Sequence, residues 1–408
     1  MHAVTPPVWP LPATRGQFAP HRTIAALIAL VMLSGCGTIK QTFLGGEDNS
    51  EPPAELVPLP ADALTVEEVW STDTGAGSDE QYLRLTPALD GTRIVVADAD
   101  GSVNAYDAQT GDRLWSTGLD VHITGAPGSD GTVVAIGTDD GDVIGLSAES
   151  GKEVWRAKVS SEVLAPPQIA EGVVVVRTID GKLFGLAGED GTLRWIYDRT
   201  VPVLTLRGTS APAVARGLIV SGFDGGQLAA IALEDGQTVW EVRLAVPRGR
   251  SEVERLVDID AQPVIADSTV YAVTFQGRIA ALDLLSGDLL WRRDLSSHIG
   301  LALDDDNVYV TDAKSHVWAL DRSNSSSLWR QDKLNARAVS RPGVDGRHIV
   351  VGDLEGYVHW LDRDDGSTAA RTRVGGAPIL APPLVSNDIV YVYSSDGTLA
   401  ALRLRRGG

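Results

Sequence analysis

Three landmarks recur along this chain at fixed distances, and a chain that repeats itself in this way is built from copies of one small unit. Pro87, Pro127, Pro167, Pro212, Pro263, Pro342 and Pro383 are each followed 14 residues later by Gly101, Gly141, Gly181, Gly226, Gly277, Gly356 and Gly397. Another 14 residues on stand Trp115, Trp155, Trp195, Trp240 and Trp291. The frame also predicts a tryptophan at position 370, where the chain has Ala370, and one worn repeat carries Leu301, Ser315 and Trp329 at the three landmarks.

Inside a unit, Ile94-Val-Val-Ala97 and Val103-Asn-Ala-Tyr106 are short β-prone runs separated by Asp100-Gly101, a hairpin signal. A second glycine stands four residues before the tryptophan at Gly111, Gly151, Gly191, Gly236 and Gly287, with Gly366 at the same place before Ala370, where a tight turn needs positive φ. Each unit therefore reads as four antiparallel strands: A with the proline, B, C after Asp-Gly, and D with the tryptophan. A proline in strand A implies that this strand lies at a blade edge. Four-stranded units of this size cannot bury both faces alone, and radial packing solves the problem. The expected fold is all-β, an eight-bladed propeller. Its eighth unit starts at Pro383 and the sequence stops at Gly408, before a fourth strand is complete. Trp70 is left over, so the strand around it is expected to pair with the C-terminal strands and close the ring. The tryptophans read as packing between blades.

All length variation lies between a tryptophan and the next proline, the D-to-A connection. Two consecutive connections are long, with 17 residues from Trp195 to Pro212 and 23 from Trp240 to Pro263. Alternation of turns puts the D-to-A connections and the B-to-C turns on one face, and long loops on a rigid scaffold are where recognition is housed. The first carries Val203-Leu-Thr-Leu-Arg-Gly208 and the second Arg248-Gly-Arg-Ser-Glu-Val-Glu-Arg-Leu-Val-Asp-Ile-Asp260, mixing charge with apolar residues. By pattern alone, Leu204, Leu206, Asp258 and Asp260 fit either a binding surface or the ordinary start of strand A.

A basic flank at His21-Arg22, an 11-residue apolar run from Thr23 to Leu33 and then Leu33-Ser34-Gly35-Cys36 have the layout of a secretory signal. The run is too short to span a bilayer. The last four residues resemble a bacterial lipobox, which implies cleavage before Cys36 and acylation there. Residues 1–35 are thus expected to be a signal peptide, 36–62 a lipidated N-terminus and flexible tether, and 63–408 the propeller. With Cys36 the only cysteine, no disulfide forms within the chain. The formal charge of -19 argues against nucleic acid and against an anionic lipid surface as partners.

Catalytic signals are weak. His122, His298, His316, His348 and His359 are scattered over different repeats without a close His or Cys partner, so no metal site is expected. Asp98-Ala-Asp-Gly101, Asp139-Asp-Gly141 and Asp304-Asp-Asp306 are what hairpin turns need. No nucleophile elbow, P-loop or dinucleotide fingerprint is present.

The stretches Ala105 to Trp115 and Ala281 to Trp291 resemble the pyrroloquinoline-quinone-type propeller repeat, and no Trp-Asp pair of the WD40 kind occurs. A quinone-binding or sensor-type periplasmic propeller is the alternative this raises. Leu204-Thr-Leu-Arg-Gly-Thr-Ser-Ala-Pro212, Glu254-Arg-Leu-Val-Asp-Ile-Asp260 and Val351-Gly-Asp-Leu-Glu-Gly-Tyr-Val-His-Trp-Leu361 resemble the BamB family, lipoproteins of the outer-membrane β-barrel assembly machinery (BAM complex). This resemblance implies a non-enzymatic scaffold without cofactor, lipid-anchored in the outer membrane and facing the periplasm. It implies docking to the periplasmic POTRA domains of BamA through Leu204, Leu206, Arg207, Asp258 and Asp260. Further subunits of the complex and unfolded outer-membrane protein clients are the other partners it suggests. Gly37 after the acylated cysteine fits sorting to the outer membrane.

Overall fold

The computed structural model describes residues 51–78, 83–199, 210–246 and 257–405. Its strands form eight four-stranded antiparallel sheets, each made of consecutive strands except the last. In blade 1 these are Ala88–Asp90, Arg93–Ala97, Ser102–Asp107 and Arg113–Gly118, which take the places of A to D. The A strands of successive blades touch one another and line the axis, so the prolines sit on the inner edge, where no ladder donor is needed. B and C strands are buried along nearly their whole length, whereas D strands alternate at the outer rim.

The ring closes as the leftover tryptophan requires. The first strand, Thr65–Asp73, pairs with the last, Thr398–Arg405, from Thr65 opposite Arg405 to Asp73 opposite Thr398. That makes it strand D of blade 8, joining the two ends of the described chain. The residues before it lie along blade 7: the Ala54 N–H donates to the carbonyl of Asn335, and Arg371 and Arg337 donate to the carbonyls of Val57 and Ala54.

The repeat landmarks have a common physical cause. In each D strand a β-bulge immediately precedes the landmark position, and where a tryptophan stands there its indole is aimed at the next blade. There the Nε1–H donates to a carbonyl of the C-to-D turn, as in Trp115 to Ala148 at 2.9 Å and Trp155 to Gly188 at 2.8 Å. The ring lies against the turn glycine, where a Cβ on Gly151 would come within 2.4 Å of Trp115. On strand C of its own blade each tryptophan faces a small residue: Ala105, Gly145, Gly185, Ala230, Ala281, Ala319 and, for Trp70, Ala401.

The missing tryptophan at 370 follows from the closure. The C and D strands of blade 8 belong to opposite ends of the chain, so no C-to-D turn exists there to receive an indole from blade 7. Blade 7 reverses the pair, with Trp360 on strand C opposite Ala370 on strand D. Trp360 is fully buried and donates its Nε1–H to Asp345 within its own blade at 3.0 Å. The worn sixth repeat is a regular blade, with Ser315 at φ 70° where other repeats place glycine.

Candidate protein-docking site

The D-to-A connections and the B-to-C turns do share a face. Leu119, Val159, Leu244 and Val374, just past their D strands, donate to the turn glycines Gly101, Gly141, Gly226 and Gly356. Of the residues expected to dock, Leu204, Leu206 and Arg207 lie outside the described residues, as does Cys36. Asp258 and Asp260 are described, and they precede strand A of blade 5, Val264–Ala266, rather than forming part of it. They are not on an exposed loop: Asp258 is 2% exposed and Asp260 8%.

This stretch packs because apolar and acidic side chains alternate along it. Val257, Ile259 and Ala261 are buried, and Ile259 fills the space over Gly222, where a Cβ would lie 2.2 Å from it. Asp258 Oδ1 accepts the Gly225 N–H at 2.8 Å in blade 4, and its carbonyl accepts the Phe275 N–H at 2.9 Å in blade 5. One residue thus fastens two neighbouring blades. Asp260 turns toward the axis, and its Oδ2 is buried without a hydrogen-bond partner among the described residues.

The acids surround a cation that sequence reasoning missed. Arg177 ends strand B of blade 3, Val173–Arg177, and its side chain is buried. It donates from Nη1 to the carbonyl of Ser210 at 3.1 Å, where the first long connection re-enters the ring. Ser210 Oγ in turn donates to the carbonyl of Ala261 at 3.0 Å, where the second re-enters. The guanidinium also lies 5.4 Å from the Phe223 ring, with Arg199 5.3 Å from the same ring. Its signal in sequence was its place in the frame. Four residues before the landmark glycine or serine, other repeats carry Ala97, Gly137, Gly222, Val273, Thr311, Gly352 and Tyr393.

Burial, together with the nearby Asp258 and Asp224, pushes the Asp260 carboxyl up to about 7, against the pull of Arg177 and Arg84. Burial likewise lifts Asp224 to about 6, opposed by Arg177 and Arg199. A carboxyl whose folded pKa is raised stabilises the fold below its unfolded value, and that contribution is lost as pH rises through the folded one. Asp260 is therefore retained at a cost to stability at neutral pH, as acids of functional sites often are. Asp260→Asn is expected to raise the melting temperature at pH 8 and to leave it near wild type at pH 4. A melting temperature at pH 8 equal to or below wild type would overturn this account of the burial.

The axial mouth beside Asp260 holds a cavity of about 80 Å³, lined by Arg84, Gln262, Ser340 and Arg341 among others. Pockets for drug-sized ligands run to roughly 300–1,000 Å³, well above this volume. Among the described residues no group of three or more His, Cys, Asp or Glu side chains could hold a metal ion. The acidic runs serve turns instead, with Asp304 Oδ1 accepting the N–H groups of Asp306 and Asn307.

A model of the family described as outer membrane protein assembly factor BamB matches residues 59–121, 99–331 and 326–407. The chain is 43% identical to the outer membrane protein assembly factor BamB of Pseudomonas aeruginosa over 382 residues, covering 93% of this chain and 98% of that protein. Among solved structures, BamB from Moraxella catarrhalis is similar with a TM-score of 0.76 at 29% identity, over 83% of this chain and all of that one. The quinohemoprotein alcohol dehydrogenase from Comamonas testosteroni shares the fold alone, at 12% identity and a TM-score of 0.67, over 84% of this chain and 78% of that one. By the family match, by its identity to a full-length relative and by the eight-bladed ring, this chain belongs to the BamB family of outer membrane protein assembly factors.

Proposed function

We propose that this chain is a non-catalytic scaffold of the outer-membrane assembly machinery, which docks the POTRA domains of BamA on its D-to-A face. The observation that carries the reading is the meeting of the two long connections at Arg177, with the buried acids Asp258 and Asp260 beside it. A rigid, desolvated cluster of this kind holds a recognition segment in one geometry and cuts the ordering cost of binding. Leu204 and Leu206 supply the apolar anchors and Arg207 a planar fork for a carboxylate or for carbonyls at a strand edge. Asp258 and Asp260 act mainly on the shape and field of the platform, since both are buried. Acylation at Cys36 holds the protein to the outer membrane, facing the periplasm, through a tether that ends where Ala54 is fastened to blade 7. By positioning these domains the scaffold aids the folding and insertion of β-barrel outer-membrane proteins.

The test is affinity for the isolated POTRA domains together with thermal unfolding of the same variants. Arg207→Ala is expected to weaken binding at least 100-fold, the loss typical of a charged group removed from a desolvated interface at about 3 kcal/mol. Its melting temperature should stay at wild type. Binding within threefold of wild type would remove Arg207 from the docking map, and no binding by the wild-type protein would end the reading.

A further inference from the structure

Two arginines cross the axial mouth with no carboxylate to meet them. Arg84, leading into blade 1, donates from Nη1 to the carbonyl of His298 at 3.3 Å, on the connection into blade 6. Arg341, immediately before Pro342 in blade 7, donates from Nη1 to Gln262 Oε1 at 3.2 Å in front of blade 5. Gln262 is itself held, its Nε2 donating to the carbonyl of Pro212 at 3.2 Å. Room has been left for Arg341. Between its two ends lies Gly300 of blade 6, at φ 126°, where a Cβ would stand 2.7 Å from the arginine's Cδ.

Neither guanidinium has an ion-pair partner among the described residues, although the chain carries a formal charge of -19. The Nε of Arg341 has no hydrogen-bond acceptor among the described residues, and the arginine lies deep enough that burial lowers its pKa, yet a guanidinium stays protonated. His298 adds no charge, since burial and the nearby Arg84 press its pKa down to about 4. The acid at the rim, Asp260, is beyond ion-pair distance of both arginines. Both arginines are half-buried, and two partly desolvated cations that line one cavity without a counter-charge favour an anion between them.

We propose that the axial mouth is an oxyanion site in which Arg84 and Arg341 grip a sulfate-, phosphate- or carboxylate-type group, with the Ser340 and Gln262 side chains at its wall. The cavity of about 80 Å³ has room for several waters, and so for one such group, but for nothing much larger. Two guanidinium forks suit oxygen atoms held in a plane or on a tetrahedral face. The guest is either a free inorganic oxyanion or an acidic side chain presented by a docked protein. The chemistry is the same, and the site does not depend on the docking reading.

Asp260 gives the site a pH profile. The charged groups that face it are Asp258, Asp224, Arg177 and Arg84, with Arg341 across the cavity. As pH falls through about 7 its carboxyl takes up a proton, repulsion toward the guest disappears, and the grip tightens.

The experiment uses the mature full-length protein with sodium sulfate against sodium chloride at equal ionic strength, read by thermal shift and calorimetry. Sulfate keeps a constant charge across the neutral range. The expected results are a saturable rise in melting temperature with sulfate, an affinity at least tenfold lower in Arg341→Met and in Arg84→Met, and tighter binding at pH 6 than at pH 8. Asp260→Asn should bind as tightly at pH 8 as the wild type does at pH 6, which keeps the test decisive if either arginine variant folds poorly. Competition by sulfate against binding of the POTRA domains assigns the guest to a partner's side chain, and unchanged or stronger binding assigns it to a free oxyanion. No sulfate-specific rise, or an equal rise in Arg341→Met and Asp260→Asn at every pH, overturns the site.

Discussion

Trp360→Ala is expected to cost about 3–5 kcal/mol of folding stability, as for other fully buried tryptophans truncated in a core. The reason lies in the reversal at blade 7. Everywhere else the large residue of the C/D pair is on strand D, reaching into the following blade, and its partner on strand C is Ala or Gly. Here Trp360 fills the space from strand C and Ala370 faces it, so truncation leaves two alanines and a hole the size of an indole. The double variant Trp360→Ala with Ala370→Trp restores the volume but not the hydrogen bond. An indole introduced at position 370 would need the carbonyl of a C-to-D turn in blade 8, and that blade has no such turn. Urea unfolding should show the double variant recovering less than the full loss. Complete recovery would sink the explanation, and so would a single-variant cost below about 1 kcal/mol.

Asp353→Ala should be about as damaging, because it strands a buried cation and a buried histidine at once. Asp353 is fully buried and accepts from Arg337 Nε at 2.8 Å, from His359 Nε2 at 2.9 Å, and from the N–H groups of Glu355 and Tyr357 at 2.9 and 3.0 Å. Arg337 also meets Glu355 and the carbonyl of Ala54, so the cluster ties the residues before the first strand to blade 7. Removing one partner of such a group costs about 3–5 kcal/mol. The cluster also sets a pH dependence. Burial holds the His359 pKa below its ordinary value of 6.5, with Asp353 working the other way. Burial raises Asp353, but hydrogen bonds from His359 and Arg337 outweigh it and bring its pKa below the usual 3.8. Both groups bind fewer protons folded than unfolded, so their contribution is present at neutral pH. It fades first below about 6.5, as the unfolded histidine charges, and again below about 4, as the unfolded carboxyl takes up its proton. His298, whose pKa burial also presses down to about 4, contributes to the same upper step. His359→Gln should therefore shrink the decline in melting temperature between pH 7 and 5 without abolishing it, and a decline equal to wild type would place its cause elsewhere.

Much of the fold could be read from the sequence because its constraints are local and repeated. A turn that needs positive φ selects glycine at 101, 111, 141 and 151. A strand at the axis with no donor to supply admits proline, and an indole reaching a turn 33 residues ahead, as from Trp115 to Ala148, fixes the distance between landmarks. Even the closure was visible, since one tryptophan had no repeat of its own. The candidate site was only half legible. The long connections stood out by their length, but nothing in an irregular segment tells which way a side chain faces, and by pattern Asp258 and Asp260 fitted a binding surface and the start of strand A equally well.

What the sequence determined by itself is the scaffold: eight units, their strand order, and the face on which the two long connections emerge. Tertiary packing decided the rest. It took Asp258 and Asp260 inside, set Arg177 between the connections, and brought Arg84 and Arg341 together from blades 1 and 7 across the axis. Each of these is a charge whose energy depends on burial and on partners dozens to hundreds of residues away. Periodicity reports how a residue sits on its own strand, and the field at the axis is created only when the ring is closed.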